Sequence, residues 1–477
     1  MKKIKVVRVI ARLNIGGPAI HTILLTDGLN KDKFDSLLVC GTIAQDEGDM
    51  LYYARARNVV PYIIPELRRE LNPLNDAIAF LKIYKLLRRE NPDIIHTHTA
   101  KAGTLGRLAG IFYNLLAARR IKLIHTFHGH VFEGYFGRFK TRLFIFIERL
   151  LAYFNSKIIT VSSAVKEELV SLRISSEAKI EVIPLGLELD RFLELPLSRL
   201  PIQGTRDPDS PDNAGILSSR ESGKGTRRCL NIGIVGRLVP IKNHRLFLES
   251  AAKVIRDNPA LDLKFKIIGD GELRAELKEF TQKLNLNSAV EFSGWQNDLS
   301  EVYSDLDIVC LTSINEGTPV SLIEAMASGR AVAATDAGGV KDLVGESLNE
   351  FEDECGFAPL EASCRRQPSD ASGVLPLMGF TPLEAVEKSA SNERLLTGFS
   401  ARKRGIMVRS GDADSFAGAL SFLLRNEVIR KKMAAAGREF VREKFAKKRL
   451  IKDIESLYEQ VVQEFRNKPR PIDDNSE

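Results

Sequence analysis

Two α/β domains facing across a cleft, each built on a parallel sheet covered on both faces, are predicted for this 477-residue chain by three observations. Its length exceeds what one core usually holds, so two domains of about 200 residues each are the natural division. Short β-branched runs alternate with helical stretches in two successive series, the pattern of a parallel sheet wound with helices. Between the series lies "LPLSRLPIQGTRDPDSPDNAGILSSRESGKGTRR", whose Pro, Ser, Gly and charge content reads as a flexible connector.

The first series runs "IKVVRVI", "FDSLLVC", "VVPYIIP", "DIIHTH", "KLIHTF", "KIITVS" and "IEVIPL". The second runs "CLNIGIVG", "LKFKIIGDG", "VEFSGW", "LDIVCLTS" and "RAVAATDAGG", after which an irregular stretch at about 346–404, with Cys355 and Cys364, assigns no element. Apolar spacing of three and four marks helices in "SFAGALSFLLRNEVIRKKMAAAGREFVREKF" and "AKKRLIKDIESLYEQVVQEF". The expected division is therefore a first domain at 1–195, a linker at 196–228 and a second domain at 229–440. A C-terminal helix at 441–467 packs back on the first domain, and a disordered tail occupies 468–477.

No run of 18 apolar residues appears; "LFIFIERLLAYF" is interrupted by Glu148 and Arg149, so no bilayer span is expected. The start "MKKIKVVRVIARL" alternates like a strand and lacks a small-residue cleavage site, which points to the cytoplasm. Five cysteines without a C-x-x-C pair fit a reducing compartment and argue against a disulfide scaffold or a thiolate zinc site. The net charge of +7 is uneven: residues 1–150 hold 24 Lys/Arg against 13 Asp/Glu, and residues 101–150 hold nine against two. Two readings stand for this excess: ordinary solvated surface, or an anionic partner such as a phospholipid surface, engaged around Arg119, Arg120, Lys122, Arg138, Lys140 and Arg142. In the second case the protein is peripheral on the inner face of the cell membrane.

Three strand-to-helix turns carry the chemistry, because ligands of open parallel sheets sit at the carboxyl ends of the strands. After the first strand, Gly16 and Gly17 permit a tight turn and Pro18 suits the first helical position, so free N–H groups there could hold an anion. Such turns also exist purely for packing. In "IGIVGRLVPIKN", Gly236 ends a strand while Arg237 and Lys242 bracket the next turn, an arginine fork and an ammonium suited to a diphosphate. In "INEGTPVSLIEAMASGRAVAATDAGG", Glu316 precedes a loop of Gly317, Thr318, Pro319 and Val320 at a helix start, and Glu324 follows eight residues after Glu316. The loop N–H groups would face a phosphate and the carboxylates would accept from sugar hydroxyls. The plainer alternative is an acid favouring the helix dipole and an ordinary helix residue.

"GRLVPIK", "IIGDGELRAEL", "VEFSGW" and "EGTPVSLIEAMASGRAVAATDAGG", in this order, closely resemble the family 4 retaining glycosyltransferases, of the type that builds bacterial surface polysaccharides. The resemblance covers roughly residues 4–192 and 229–345 and resumes at "RGIMVRSGDADSFAGAL". It implies two Rossmann-like domains in the GT-B arrangement, the second binding a nucleotide-sugar donor and the first an acceptor. It further implies that Glu316 contacts hydroxyls of the donor sugar, Glu324 the ribose, and Arg237 and Lys242 the diphosphate. Gly17, with Gly16, approaches from the other domain, and Gly236 and the 317–320 loop complete the donor site. His128, in the family's Thr-x-His-Gly pattern "TFHG", faces the transferred sugar; His98, Lys101 and His130 fall on the acceptor side. Two departures are visible: Asn243 stands where the family writes glycine, and Leu185, Gly186, Leu187 and Glu188 replace its usual Asn-Gly-Val-Asp.

Five of the seven histidines lie between His96 and His130. Imidazoles at adjacent strand ends can bind zinc, but no acid or thiolate is written into the same loops, so no metal is expected and His96 and His125 read as structural. Asp305 and Asp307 form an Asp-x-Asp pair but precede a buried strand, and are set aside as metal ligands. No cofactor is expected beyond the nucleotide-sugar substrate. The expected activity is retaining transfer of a hexose-type sugar, most simply UDP-linked, to a sugar or lipid-linked acceptor. A nucleotide-sugar 2-epimerase of similar fold and a non-catalytic sugar-nucleotide-binding module are the alternatives. Nucleic acid is not an expected partner.

Overall fold

The computed structural model describes residues 2–43, 48–68, 70, 72–117, 119–129, 138–197, 229–296, 298–347 and 398–466. Most of the expected linker, the bulk of the irregular stretch with Cys355 and Cys364, the expected tail, and His130 with the loop that follows it lie outside the described residues.

All seven runs of the first series are strands: β1 (Ile4–Ile10), β2 (Phe34–Cys40), β3 (Tyr62–Ile63), β4 (Ile94–His98), β5 (Lys122–Phe127), β6 (Lys157–Thr160) and β7 (Ile180–Val182). They form one sheet in the order β3-β2-β1-β4-β5-β6-β7, every pair parallel. The central strand β4 is buried along its whole length, which is why its sequence reads as continuous rather than alternating.

The second sheet holds β8 (Leu230–Val235), β9 (Leu263–Ile268), β10 (Val290–Gly294), β11 (Ile308–Leu311) and β12 (Ala331–Thr335), with a hairpin of β13 (Phe399–Arg402) and β14 (Gly405–Val408). Its order is β10-β9-β8-β11-β12-β14-β13, parallel except for the β13–β14 pair. No described helix is long and apolar enough to cross a membrane.

Two chain crossings join the domains side by side. Leu187 N–H donates to Phe445 O at 2.8 Å, and Lys447 N–H donates to Leu187 O at 3.0 Å. Leu185, Leu187, Leu189 and Phe192 are buried with Leu322, Ile323 and Met326 of the second domain in a shared apolar cluster. The departure at Leu185–Glu188 therefore falls on the crossing itself. Its leucines fill that cluster, while Glu188 pairs with Lys447 at 3.1 Å and with Arg57.

After the second crossing the helix Lys447–Arg466 lies across the first sheet, placing Leu450, Ile454, Leu457, Tyr458 and Val461 against Val6, Ile94, Ile124 and Ile159. The spacing of four, three and four residues between 450, 454, 457 and 461 puts one apolar stripe on the sheet. Gly28 and Gly186 allow the close approach: a Cβ at either would come within 2.6 Å or 2.4 Å of Ile451 or Leu450.

The basic stretch at 101–150 is not a single patch. Arg119, Arg120 and Lys122 stand at the amino end of β5, Arg119 pairing with Asp93, whereas the helix Arg138–Phe154 begins beyond the carboxyl end of that strand. A strand separates charges that are neighbours in sequence.

Candidate functional site

Each sheet reverses its winding once, between β1 and β4 and between β8 and β11. Loops leaving such a pair diverge to opposite faces and open a crevice at the carboxyl ends. Gly16 and Gly17 follow β1, Lys101 follows β4, Gly236 to Lys242 follow β8, and Glu316 to Val320 follow β11. The four loops thus bracket the two switch points, and across the domain line the loops after β1, β5 and β6 meet the loop after β11. A Cβ on Gly17 would meet Val320 Cγ2 at 3.2 Å, and one on Gly317 would fall 1.9 Å from the His128 carbonyl oxygen. Thr318 Oγ1 donates to Val161 O at 3.2 Å, and Ser163 N–H to Asp342 Oδ2 at 2.9 Å. Gly317 is the point of closest approach, where no side chain fits.

On the second-domain side, Lys242 ends a single 3-10 turn, Pro240–Lys242, and its ammonium meets Glu316 Oε1 at 2.5 Å. Asn243 takes φ 47 and ψ 52, the left-handed region that glycine favours and asparagine tolerates, so the substitution there preserves the turn. Arg237 makes no ion pair with any described residue. The glycines of "IIGDG" support this loop: a Cβ on Gly269 would strike Gly236 O at 2.0 Å, and one on Gly271 would strike Leu238 O at 2.6 Å. Both have positive φ, 130 and 156.

The helix Val320–Ala327 starts at Pro319, leaving its first N–H groups toward the Glu316 loop. Glu324 sits on the buried side of this helix, where Tyr303 Oη–H donates to its Oε2 at 3.1 Å. Burial raises the Glu324 carboxyl to about 7, against opposing contributions from the Tyr303 hydroxyl and Arg191. Tyr303 is a site residue that sequence reasoning missed; only its distance of 21 residues from Glu324 joins them along the chain.

Histidines sort by face. His125 contacts Thr97 Oγ1 through Nδ1 at 2.9 Å, packs edge-on to Phe127, and lies against Gly103 of the helix Ala100–Leu116. His96 Nδ1 lies 2.6 Å from Tyr458 Oη, and its Nε2 lies 2.7 Å from Thr126 Oγ1. Arg8 donates to the same Tyr458 oxygen at 3.2 Å, so Arg8, Tyr458, His96 and Thr126 form one buried polar chain. Both rings are structural.

His98 departs from its acceptor-side expectation: it is fully buried behind His128, with Nδ1 3.0 Å from His128 Nε2. Lys101 does too, its ammonium being committed to Asp76 at 2.5 Å and to the Glu70 carbonyl. His128 leads into Gly129, which abuts Gly317 at 3.3 Å from a built Cβ, so it is placed at the closure point. Burial lowers its pKa to about 3, which keeps the ring neutral. His21, from the helix Gly17–Gly28, completes the group and was not singled out from sequence. Four residues after Gly17 it faces His98 and His128, with ring centres 5.7 Å and 5.1 Å away. These three rings converge, with His96 packed against His98 at 4.2 Å between ring centres; of the strand-end set weighed from sequence, His125 alone lies on the other face.

Asp305 and Asp307 lie at the amino end of β11, away from the cleft, engaged with Lys266 at 2.6 Å and the Asn231 N–H at 2.9 Å. A charged cavity of about 680 Å³ lined by Lys2, Lys5, Asp35, Glu90 and Asp93 also opens at amino ends of strands, on the first sheet, and takes no part in the site.

Sequence profiles of two known domains match the chain: "Glycosyltransferase Family 4" over residues 15–191 and "Glycosyl transferases group 1" over residues 229–359. An Escherichia coli UDP-Gal:alpha-D-GlcNAc-diphosphoundecaprenol alpha-1,3-galactosyltransferase is 29% identical over 325 residues, 68% of this chain and 76% of that protein. A capsular polysaccharide biosynthesis glycosyltransferase of Staphylococcus aureus is 21% identical over 86% of this chain and 88% of its own length. Among solved structures, Anabaena HepE in complex with UDP and glucose superposes with a TM-score of 0.67 at 16% identity, covering 96% of this chain and all of its own. Sucrose-phosphate synthase of Thermosynechococcus elongatus gives 0.64 at 16%, covering 97% of this chain and all of its own. These likenesses place the two facing sheets in the GT-B fold.

Proposed function

The chain belongs to glycosyltransferase family 4, and from that premise we propose that it moves a hexose-type sugar from a UDP-linked donor, with retained anomeric configuration, to a lipid-linked acceptor. Assembly of a surface polysaccharide or glycolipid is the setting. Support for donor and acceptor class comes from the galactosyltransferase relative, which uses UDP-Gal and a diphosphoundecaprenol-linked sugar, and from the UDP and glucose held by the HepE structure.

One observation carries the reading: Lys242, Glu316, the 317–320 loop and His128 meet at the line where the domains touch. A donor diphosphate entering beside Lys242 competes with Glu316 for the ammonium. It thereby frees the Glu316 carboxylate for hydroxyls of the sugar. Arg237 adds a second cation, the N–H groups at the helix start after Pro319 add fixed dipoles, and Glu324 takes the ribose. Gly16, Gly17 and Gly236 keep the walls free of side chains, and neutral His128 faces the sugar from the first domain.

With no side chain required as a nucleophile, the acceptor oxygen bonds to the anomeric carbon on the face from which the phosphate leaves. The bond from carbon to phosphate oxygen breaks, and that oxygen takes the acceptor proton. Leaving-group stabilisation and acceptor placement supply the rate. Arg237 and Lys242 do the work of a divalent metal at the diphosphate, so full activity is expected in excess EDTA. Complete loss restored by manganese would refute that point.

A panel of nucleotide sugars tests the donor: a ligand at 100 times its dissociation constant should stabilise the protein by roughly 2.7 kcal/mol. Product NMR should then give the retained anomer with acceptor present. A 2-epimer formed from the UDP-sugar alone would replace transfer with epimerisation.

A further inference from the structure

We propose that His21, His98 and His128 form a binding site for a zinc-class transition-metal ion on the first-domain wall of the cleft, and that this ion and the donor sugar exclude one another. One ring nitrogen from each of the three lies within 4.8 Å of the others. The ring centres form a near-equilateral triangle of 5.7, 5.1 and 5.2 Å. Three imidazoles on one tetrahedral ion, with metal–nitrogen bonds of ~2.0–2.1 Å, would bring their ring centres about 5 Å apart and neighbouring ligand nitrogens ~3.3 Å apart. His98 Nδ1 and His128 Nε2 stand at 3.0 Å.

Polar satisfaction argues the same way. Both nitrogens of His21, Nε2 of His98 and Nδ1 of His128 are buried and find no hydrogen-bond partner among the described residues. With His98 Nδ1 and His128 Nε2 as ligands, the ion takes the place of the hydrogen bond between those two rings, and the unpartnered nitrogen it satisfies is that of His21, whose burial without a partner is costly. Burial also holds the three rings neutral, the form that ligates. Neutral imidazole suits zinc, cobalt, nickel or copper rather than magnesium or calcium, and three protein ligands leave a fourth position open. Arg8 and Arg449 lie close enough to disfavour protonation of His21, and the same positive field opposes a dication. Affinity is therefore expected to be weaker than at a site with a compensating carboxylate, and the ion to be removable by a chelator.

The ion site stands on the three rings alone. Its effect on the donor rests on the placement of His128 against the sugar argued above. The test uses the full chain freed of metal by a chelator and dialysed against zinc, or titrated with cobalt. Wild type should hold one zinc per chain and give the intense visible bands of tetrahedral cobalt. His21→Leu, of similar volume and losing no protein hydrogen bond, should bind zinc at least tenfold more weakly, and so should His128→Ala. His125→Leu, on the opposite face of the sheet, should bind as wild type does. Equal zinc stoichiometry in wild type, His21→Leu and His128→Ala overturns the site, as does an octahedral cobalt spectrum. In kinetics, zinc should raise the donor KM of wild type and leave that of His21→Leu unaffected. One zinc bound at these rings with an unchanged donor KM would overturn the exclusion and, with it, the placement of the sugar on His128.

Discussion

Glu324 and Glu316 lie eight residues apart, yet the fold treats them oppositely, and the difference is measurable. Burial lifts the Glu324 carboxyl to about 7 from 4.5, so the folded state holds this proton more tightly than the unfolded chain. Stability must then fall as pH rises from about 4.5 to about 7, and the full cost of the buried charge, on the order of 3 kcal/mol, applies above that range. Glu324→Gln removes the charge. Thermal melts should show the variant gaining on wild type between pH 5 and pH 8, and a pH-independent difference would contradict the burial argument. Ribose hydroxyls favour the ionised carboxylate, so nucleotide diphosphate affinity should weaken as pH drops through 7, and Glu324→Gln should weaken it at all pH. That loss is shared by ground and transition states, and belongs in the donor KM rather than kcat. Glu316→Gln and His128→Ala act at the reacting sugar and should lower kcat by on the order of 100-fold. Because Glu316 pairs with Lys242, Glu316→Gln should leave diphosphate affinity unchanged or tighter. Equal loss of nucleotide affinity in all three variants would show these roles to be misassigned.

The helix Arg138–Phe154 works on two faces. Inward, Glu148 accepts from Arg107 at 2.8 Å with both side chains buried. Removing one partner strands the other, so Glu148→Leu or Arg107→Leu alone should cost about 3–5 kcal/mol in chemical denaturation, and the double variant far less than their sum. Outward, Leu143, Phe146, Leu150 and Tyr153 form an exposed stripe flanked by exposed Arg142 and Arg149. Apolar groups beside cations suit an anionic bilayer surface. Phe146→Ser with Leu150→Ser should abolish vesicle cosedimentation while leaving transfer to a soluble acceptor intact; binding indifferent to these changes and to salt would remove this surface from consideration. The element scale is also where sequence was most legible. Every strand of the first domain and five of the second were readable because the central strands, β4, β11 and β12 among them, are buried along their length and the strands alternate with helical stretches. The β13–β14 hairpin escaped because it borders the irregular stretch at about 346–404 and pairs antiparallel, outside the strand-helix alternation that marked the others. His21 and Tyr303 escaped for another reason: neither carries a local signal, and their partners are set by how helices dock. Charge counting failed similarly, since adjacency in sequence placed Arg119 with Arg142 while β5 holds them apart.

Across the whole molecule, function depends on two domains closing on a line with no room for a Cβ. Gly317→Ala should hold the cleft open, lowering kcat and raising donor KM together, with a larger radius of gyration by small-angle scattering in the presence of donor; an unchanged radius and rate would show that contact to be dispensable. The crossing at Leu187 and Phe445 is where such opening would pivot. The helix that follows has a consequence for how the protein is made. Arg8 meets Tyr458 across 450 residues of chain, and around them Val6, Ile94, Ile124 and Ile159 wait for Leu450, Ile454 and Leu457. At a translation rate of ~5–20 residues per second, the nascent first domain spends tens of seconds with that apolar face bare. That face is covered only when the helix Lys447–Arg466 leaves the ribosome, so a chain stalled before Lys447 leaves Val6, Ile94, Ile124 and Ile159 without their apolar cover.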